Sequence, residues 1–165
     1  MADAKPRAWK LADKREVVHA ARTAVTAVAS LLVARGLRLP EAYWAPITSM
    51  IVMQSTLGAA WTISKQRLAG TAVGAVLGAL LVTYVRANWA VFGAAVFIAG
   101  IICTALGMER NAYRYSGITL AIVMLVASNR PAWEIATHRF VEISLGIAVG
   151  LATTAVWPEA TFAES

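Results

Sequence analysis

Two arginines close matching octapeptides, "AWTISKQR" at residues 60–67 and "AWEIATHR" at residues 132–139, so that Ala, Trp, Ile and Arg recur 72 positions apart. A guanidinium is charged at every physiological pH, and its planar fork of N–H donors matches a carboxylate. Set at the start of a helix, Arg67 and Arg139 would each add that fork to the positive end of a helix dipole, giving two candidate sites for organic anions. Trp61 and Trp133 could stack on an aromatic substrate, or serve as interfacial aromatics. Glu142 follows Arg139 at i+3, where it can pair with it. Glu142 and His138 are also candidate proton carriers. Arg67 has a second explanation, as a positive anchor on the cytoplasmic side. The sequence holds no nucleophile with a base, no phosphate loop and no histidine or cysteine at metal-ligand spacing, so neither an enzyme nor a cofactor is expected. The one cysteine, Cys103, lies in an apolar run.

The elements that must position these residues are apolar. The 165-residue chain is 59% hydrophobic and 15% charged, with a mean hydropathy of +0.63, which leaves too little polar surface for a soluble bundle. Between Glu41 and Lys65 lie 23 residues without a formal charge, and 22 more run from Ala87 to Met108. About 20 residues of helix cross a bilayer. With the shorter runs Leu68–Val85, Tyr115–Asn129 and Ile143–Pro158, and a first segment around Thr23–Ala34, the expectation is six spans at 17–35, 42–59, 68–86, 89–107, 112–128 and 139–157. The first segment ends in "LLVARGLRLP", which lacks a small-x-small cleavage pattern, and is expected to be kept as a span.

The net charge of +6 follows topology rather than nucleic-acid binding. Alternating loops place Lys5, Arg7, Lys10, Lys14, Arg15, Lys65, Arg67, Arg110 and Arg114 on one side, and Arg35, Arg38, Arg86, Arg130 and Arg139 on the other. The excess puts both termini, including a short basic segment over 1–15, in the cytoplasm. The 72-residue offset also pairs Tyr43 with Tyr115, Gly74 with Gly146 and Gly78 with Gly150. Three spans per copy, over about 17–86 and 89–158, reverse the second copy, so the expected fold is an all-α membrane protein of two inverted three-helix repeats in a single domain. Gly70, Gly74, Gly78, Gly146 and Gly150 form stripes that either let helices pack closely or line a narrow passage.

The stretch "YWAPITSMIVMQSTLGAAWTISKQRLAGTAVGAVLGALL", residues 43–81, resembles the signature of the fusaric acid resistance and aromatic acid exporter proteins. Its matching positions are Tyr43, Trp44, Ala45, Arg67, Gly70, Thr71, Gly74 and Gly78. The closing "RFVEISLGIAVGLATTAVWP" is similar to that family's last helix, ending at Pro158. The resemblance implies a six-helix domain in the bacterial inner membrane that exports carboxylated aromatic compounds. It also implies a likeness to the membrane domain of aluminium-activated malate transporters, dimeric anion channels whose conduction-path arginines would match Arg67 and Arg139. With one six-helix unit and no large soluble domain in the sequence, a homodimer is expected. Three functions are consistent with these features: coupled export of aromatic or small carboxylates, a passive anion channel of the same fold, and a membrane assembly subunit with no path.

Overall fold

A computed structural model describes residues 14–54, 56–85, 88–126 and 130–157. Six α-helices follow in order: α1 Lys14–Gly36, α2 Trp44–Val52, α3 Leu57–Tyr84, α4 Trp89–Ala105, α5 Arg110–Ala121 and α6 Ala132–Val156. A single π-turn, Ile122–Val126, continues α5. The basic segment over 1–13, Arg86 and Pro158 lie outside the described residues.

Local chemistry sets the boundaries. Thr56 caps α3 by accepting the Ala59 N–H on its Oγ1 at 3.2 Å, and Asn88 caps α4 through the Val91 N–H at 2.9 Å, each satisfying one of the orphan donors of a first turn. The helices α1 and α4 end alike. Leu39 N–H reaches Ala34 O at 3.1 Å and Arg38 N–H reaches Arg35 O at 2.9 Å; Met108 and Gly107 repeat the pair on Cys103 and Thr104. This is the Schellman closure, which needs a left-handed residue. Gly107 takes it at φ +65°, and Arg38 takes it at φ +55° as a non-glycine.

Helices α1, α3 and α6 are long and apolar enough to cross a membrane, and α4 is a shorter apolar helix. Large apolar side chains such as Leu32, Trp89, Phe97, Leu125 and Val126 face outward, a surface that suits lipid and not water. The short α2 has 9 residues, about 13 Å of rise.

The helices α3 and α6 cross antiparallel at the centre. Ala60 meets Ile143 and Ile147 toward one end, while Ala75 and Ala79 meet Ile135 and Ala136 toward the other. Each central helix carries a short helix on its glycine stripe. α5 runs along α3, with Ala112 over Gly70, Ser116 over Gly74 and Val123 over Gly78; α2 runs along α6, with Ala45 and Thr48 over Gly146 and Val52 over Gly150. α1 packs on α2 and α6, and α4 on α3 and α5.

Three boundaries differ from the hydropathy reading by several residues. The second helix ends at Val52 instead of 59, and the third starts at Leu57 instead of 68. The uncharged run from 42 to 64 contains the end of one helix and the start of the next, and composition alone cannot divide it. The polar Gln54-Ser55-Thr56 supplies the division, because Thr56 competes for backbone donors as a cap. Likewise α6 begins at Ala132 behind Pro131, not at 139.

Candidate functional site

These boundaries relocate the arginines. Arg67 lies ten residues beyond Leu57 and Arg139 seven beyond Ala132, about 15 Å and about 10 Å along their helices at 1.5 Å per residue. Neither stands at a helix N-terminus, so the dipole and the free N–H groups of a first turn do not contribute to a site at either one. Both guanidiniums are instead buried where α3 and α6 cross, with side chains 4% and 2% exposed for Arg67 and Arg139.

Each is held by an aromatic ring from one of the short helices. The Arg139 guanidinium lies 3.6 Å over the Trp44 ring of α2, and that of Arg67 lies 4.9 Å over Tyr115 of α5. Such contacts are strongest when desolvated, as here. Arg67 donates from Nη2 and Nε to Thr48 Oγ1 at 3.0 and 3.3 Å. Among the described residues it has no carboxylate within 4.0 Å. The Arg139 Nη2 donates to Glu41 Oε2 at 3.1 Å, and its Nη1 lies 3.9 Å from Glu142 Oε2. Arg139 Nε and Nη1 and Glu142 Oε2 have no hydrogen-bond partner. The fully buried Glu142 accepts the backbone N–H of Glu41 on its Oε1 at 3.0 Å.

Arg67 and Arg139 line one small cavity of about 10 Å³ with Trp44, Tyr115, Thr71 and Thr119, the space that the centre of one water needs. A lone buried guanidinium is costly unless paired. The cavity therefore gathers two cations, one of which has no counter-charge in the described chain, beside two aromatic faces. A carboxylate is the ligand chemistry that would satisfy it.

The other sequence-predicted residues lie elsewhere. Trp61 and Trp133 are 55% and 47% exposed and do not line the cavity; Trp44 and Tyr115 take the position beside the guanidiniums. His138 does not line the cavity; it is half-buried, with its Nδ1 4.0 Å from Glu134 Oε1 one turn earlier in α6. The five stripe glycines meet neighbouring helices and do not line the cavity. Sequence reasoning missed Glu41 and Thr48 as partners. The signal for Glu41 was present, since it is the only acidic residue between Glu16 and Glu109 and stands next to Pro40.

The family model described as fusaric acid resistance protein-like matches residues 25–153. The inner membrane protein YeeA of Escherichia coli K12 is 25% identical over 154 residues, covering 88% of this chain and 42% of its own. The uncharacterized transporter YdhK of the same strain is 28% identical over 151 residues, covering 86% of this chain and 22% of its own. The chain thus spans under half the length of these relatives. No solved structure matches it.

Proposed function

Because the chain belongs to the fusaric acid resistance protein-like family of membrane, transporter-like proteins, we propose that it carries organic anions, aromatic or small carboxylates, out across the bacterial inner membrane. The observation that supports this reading most is the buried Arg67, a cation without a carboxylate among the described residues, sharing a cavity with Arg139, Trp44 and Tyr115. A structural arginine at such a site would be expected to have its own counter-charge. An anion path supplies the charge transiently.

The proposed architecture is two inverted three-helix halves that bring these residues to one level of the bilayer, with six helices crossing or entering it. In its favour, α3 carries its arginine onto a ring of α5 while α6 carries its arginine onto a ring of α2. Both arginines leave the loop-charge tally, one from each side, so the excess of positive loops on the side of the termini persists and favours a cytoplasmic location for both. A homodimer in the inner membrane is the proposed assembly. The outward apolar faces of α1, α3 and α4 would hold a second copy as well as lipid.

The test is flux. In proteoliposomes loaded with labelled benzoate, the Arg67→Gln, Arg139→Gln double variant is expected to lose transport by at least about tenfold, since a charge-assisted hydrogen bond to a carboxylate contributes about 1.5–3 kcal/mol. Wild-type flux in the double variant would overturn the proposal. In the same assay, Trp44→Leu and Tyr115→Leu are expected to slow flux, while Trp61→Leu and Trp133→Leu leave it within about twofold, as exposed surface changes do. The reverse pattern would return the substrate to the two tryptophans of the repeated octapeptides.

A channel is the second reading, favoured by His138 lying outside the cavity and Glu142 being tied to the Glu41 backbone. Transport that persists in Glu142→Gln and His138→Gln variants and is independent of a proton gradient would select it.

A further inference from the structure

Glu41 belongs to no helix. It stands in the turn between α1 and α2, and its side chain, 26% exposed, reaches inward to Arg139 from the surface. Three contacts hold it in that pose. Its carboxylate takes the Arg139 Nη2 at 3.1 Å, its backbone N–H is bound by Glu142 at 3.0 Å, and the Tyr43 hydroxyl donates to its Oε2 at 3.3 Å. The chain thereby places a carboxylate of its own on one of the two guanidiniums that line the cavity.

Glu41 takes Nη2 of Arg139 and leaves Nε and Nη1 without a hydrogen-bond partner, so a transported carboxylate that forks onto Nη1 and Nη2 must take Nη2 from Glu41, and the cavity, with room for about one water, must widen as it does. The arrangement is also one-sided. Arg139 in α6 has Glu41 from the turn before α2, whereas the residues at the corresponding place before Tyr115 in α5 are Ala112 and Tyr113, and Arg67 has no carboxylate among the described residues. The site is therefore blocked by a charge from one direction only.

Resting on the anion-path reading above, we infer that Glu41 is a tethered competitor for the anion site. It occupies Arg139 when no anion is bound, and a transported carboxylate must displace it, so the 37–43 turn gates the cavity on its side. Displacement releases Glu41 to water, where its partial exposure already places it, and leaves Arg139 and Arg67 together to take the incoming carboxylate.

The test uses the full chain and labelled benzoate. The Glu41→Gln variant keeps the length and shape of the side chain but offers a neutral acceptor, which removes the charge–charge attraction to the guanidinium. Benzoate binding measured by equilibrium dialysis in detergent is expected to tighten by at least about fivefold, the lower end of the usual coupling between competing ligands. Benzoate current in planar bilayers should rise with it. Glu41→Asp, which shortens the tether by one methylene, should tighten binding to an intermediate degree and serves where Glu41→Gln does not fold. Unchanged or weaker binding in a folded variant overturns the inference, as does loss of folded protein in both variants, which would make Glu41 a structural pin. Tighter binding without flux in either protein supports the competitor and removes the transport reading. Absence of benzoate binding in wild type and variant alike overturns both.

Discussion

Arg67→Met is expected to raise the thermal stability of the chain, and Arg139→Met to lower it, although each removes a buried guanidinium from the same cavity. The difference lies in what each arginine leaves behind. Arg67 has a hydroxyl, Thr48, and a ring, Tyr115. Methionine of similar length refills the space, the Tyr115 ring keeps an apolar contact, and a desolvated unpaired cation is removed. Replacing buried charge with a well-packed apolar side chain stabilises proteins by about 1–4 kcal/mol. Arg139 leaves Glu142, fully buried, and Glu41, two carboxylates without their cation. Stranding one partner of a buried pair costs about 3–5 kcal/mol. Thermal unfolding in a fixed detergent, followed by circular dichroism, reads the sign directly. A lowered melting temperature in Arg67→Met as well would mean that Arg67 has a counter-charge in the folded chain, and would remove the main support for an anion path. A protein stabilised by Arg67→Met and stripped of flux would show that a stability cost is retained for transport.

The second large effect concerns the stripes. A Cβ placed on Gly74 would overlap the Ser116 carbonyl oxygen, and one on Gly146 would overlap the Ala45 carbonyl oxygen. Both obstacles are backbone, so no rotamer change relieves them, and α5 or α2 must move bodily away from its central helix. Gly74→Ala and Gly146→Ala are therefore expected to cost more than about 4 kcal/mol, in the range reserved for severe steric change, and to abolish a monodisperse peak in size-exclusion chromatography. Gly93→Ala and Gly117→Ala are the controls. Nothing lies within 4 Å of a Cβ at either position, so both should fold and gain up to about 1 kcal/mol from helix propensity alone. A Gly74→Ala protein that melts with the wild type would show that the α3–α5 contact is looser than drawn.

The class of this protein was legible from hydropathy and charge, and the family from its residues 43–81, because those signals are carried by composition and local pattern. The central role of α3 and α6 was legible too, from glycines spaced by four. What the pattern could not supply was register between helices. The 72-residue offset aligns Tyr43 with Tyr115, yet the ring under Arg139 belongs to Trp44, the next residue along. Tyr43 itself is half exposed. Rotation by one residue turns a helix by about 100°, so an alignment that matches residue types can point the wrong side chain at the site. Glu41 stood out as a lone acid, but its partners were hidden for a related reason. It contacts residues 98 and 101 positions away, and no spacing rule reaches that far. The helix start at Leu57 decided the rest: moved from 68, it changed Arg67 from an edge anchor to a charge within the helix.

The π-turn that follows α5 changes the helical phase of the chain as it leaves the glycine stripe of α3. Val52 covers Gly150 and Val123 covers Gly78; fifteen residues lead from Val52 to Arg67 and sixteen from Val123 to Arg139. A π-turn, closing i to i+5 where an α-turn closes i to i+4, holds one residue more per hydrogen-bonded loop, and Ile122–Val126 stands at the start of the longer interval. Arginine over ring is thus reached twice through connections of unequal length, so the setting depends on where each helix lies and not on the count of residues that lead to it.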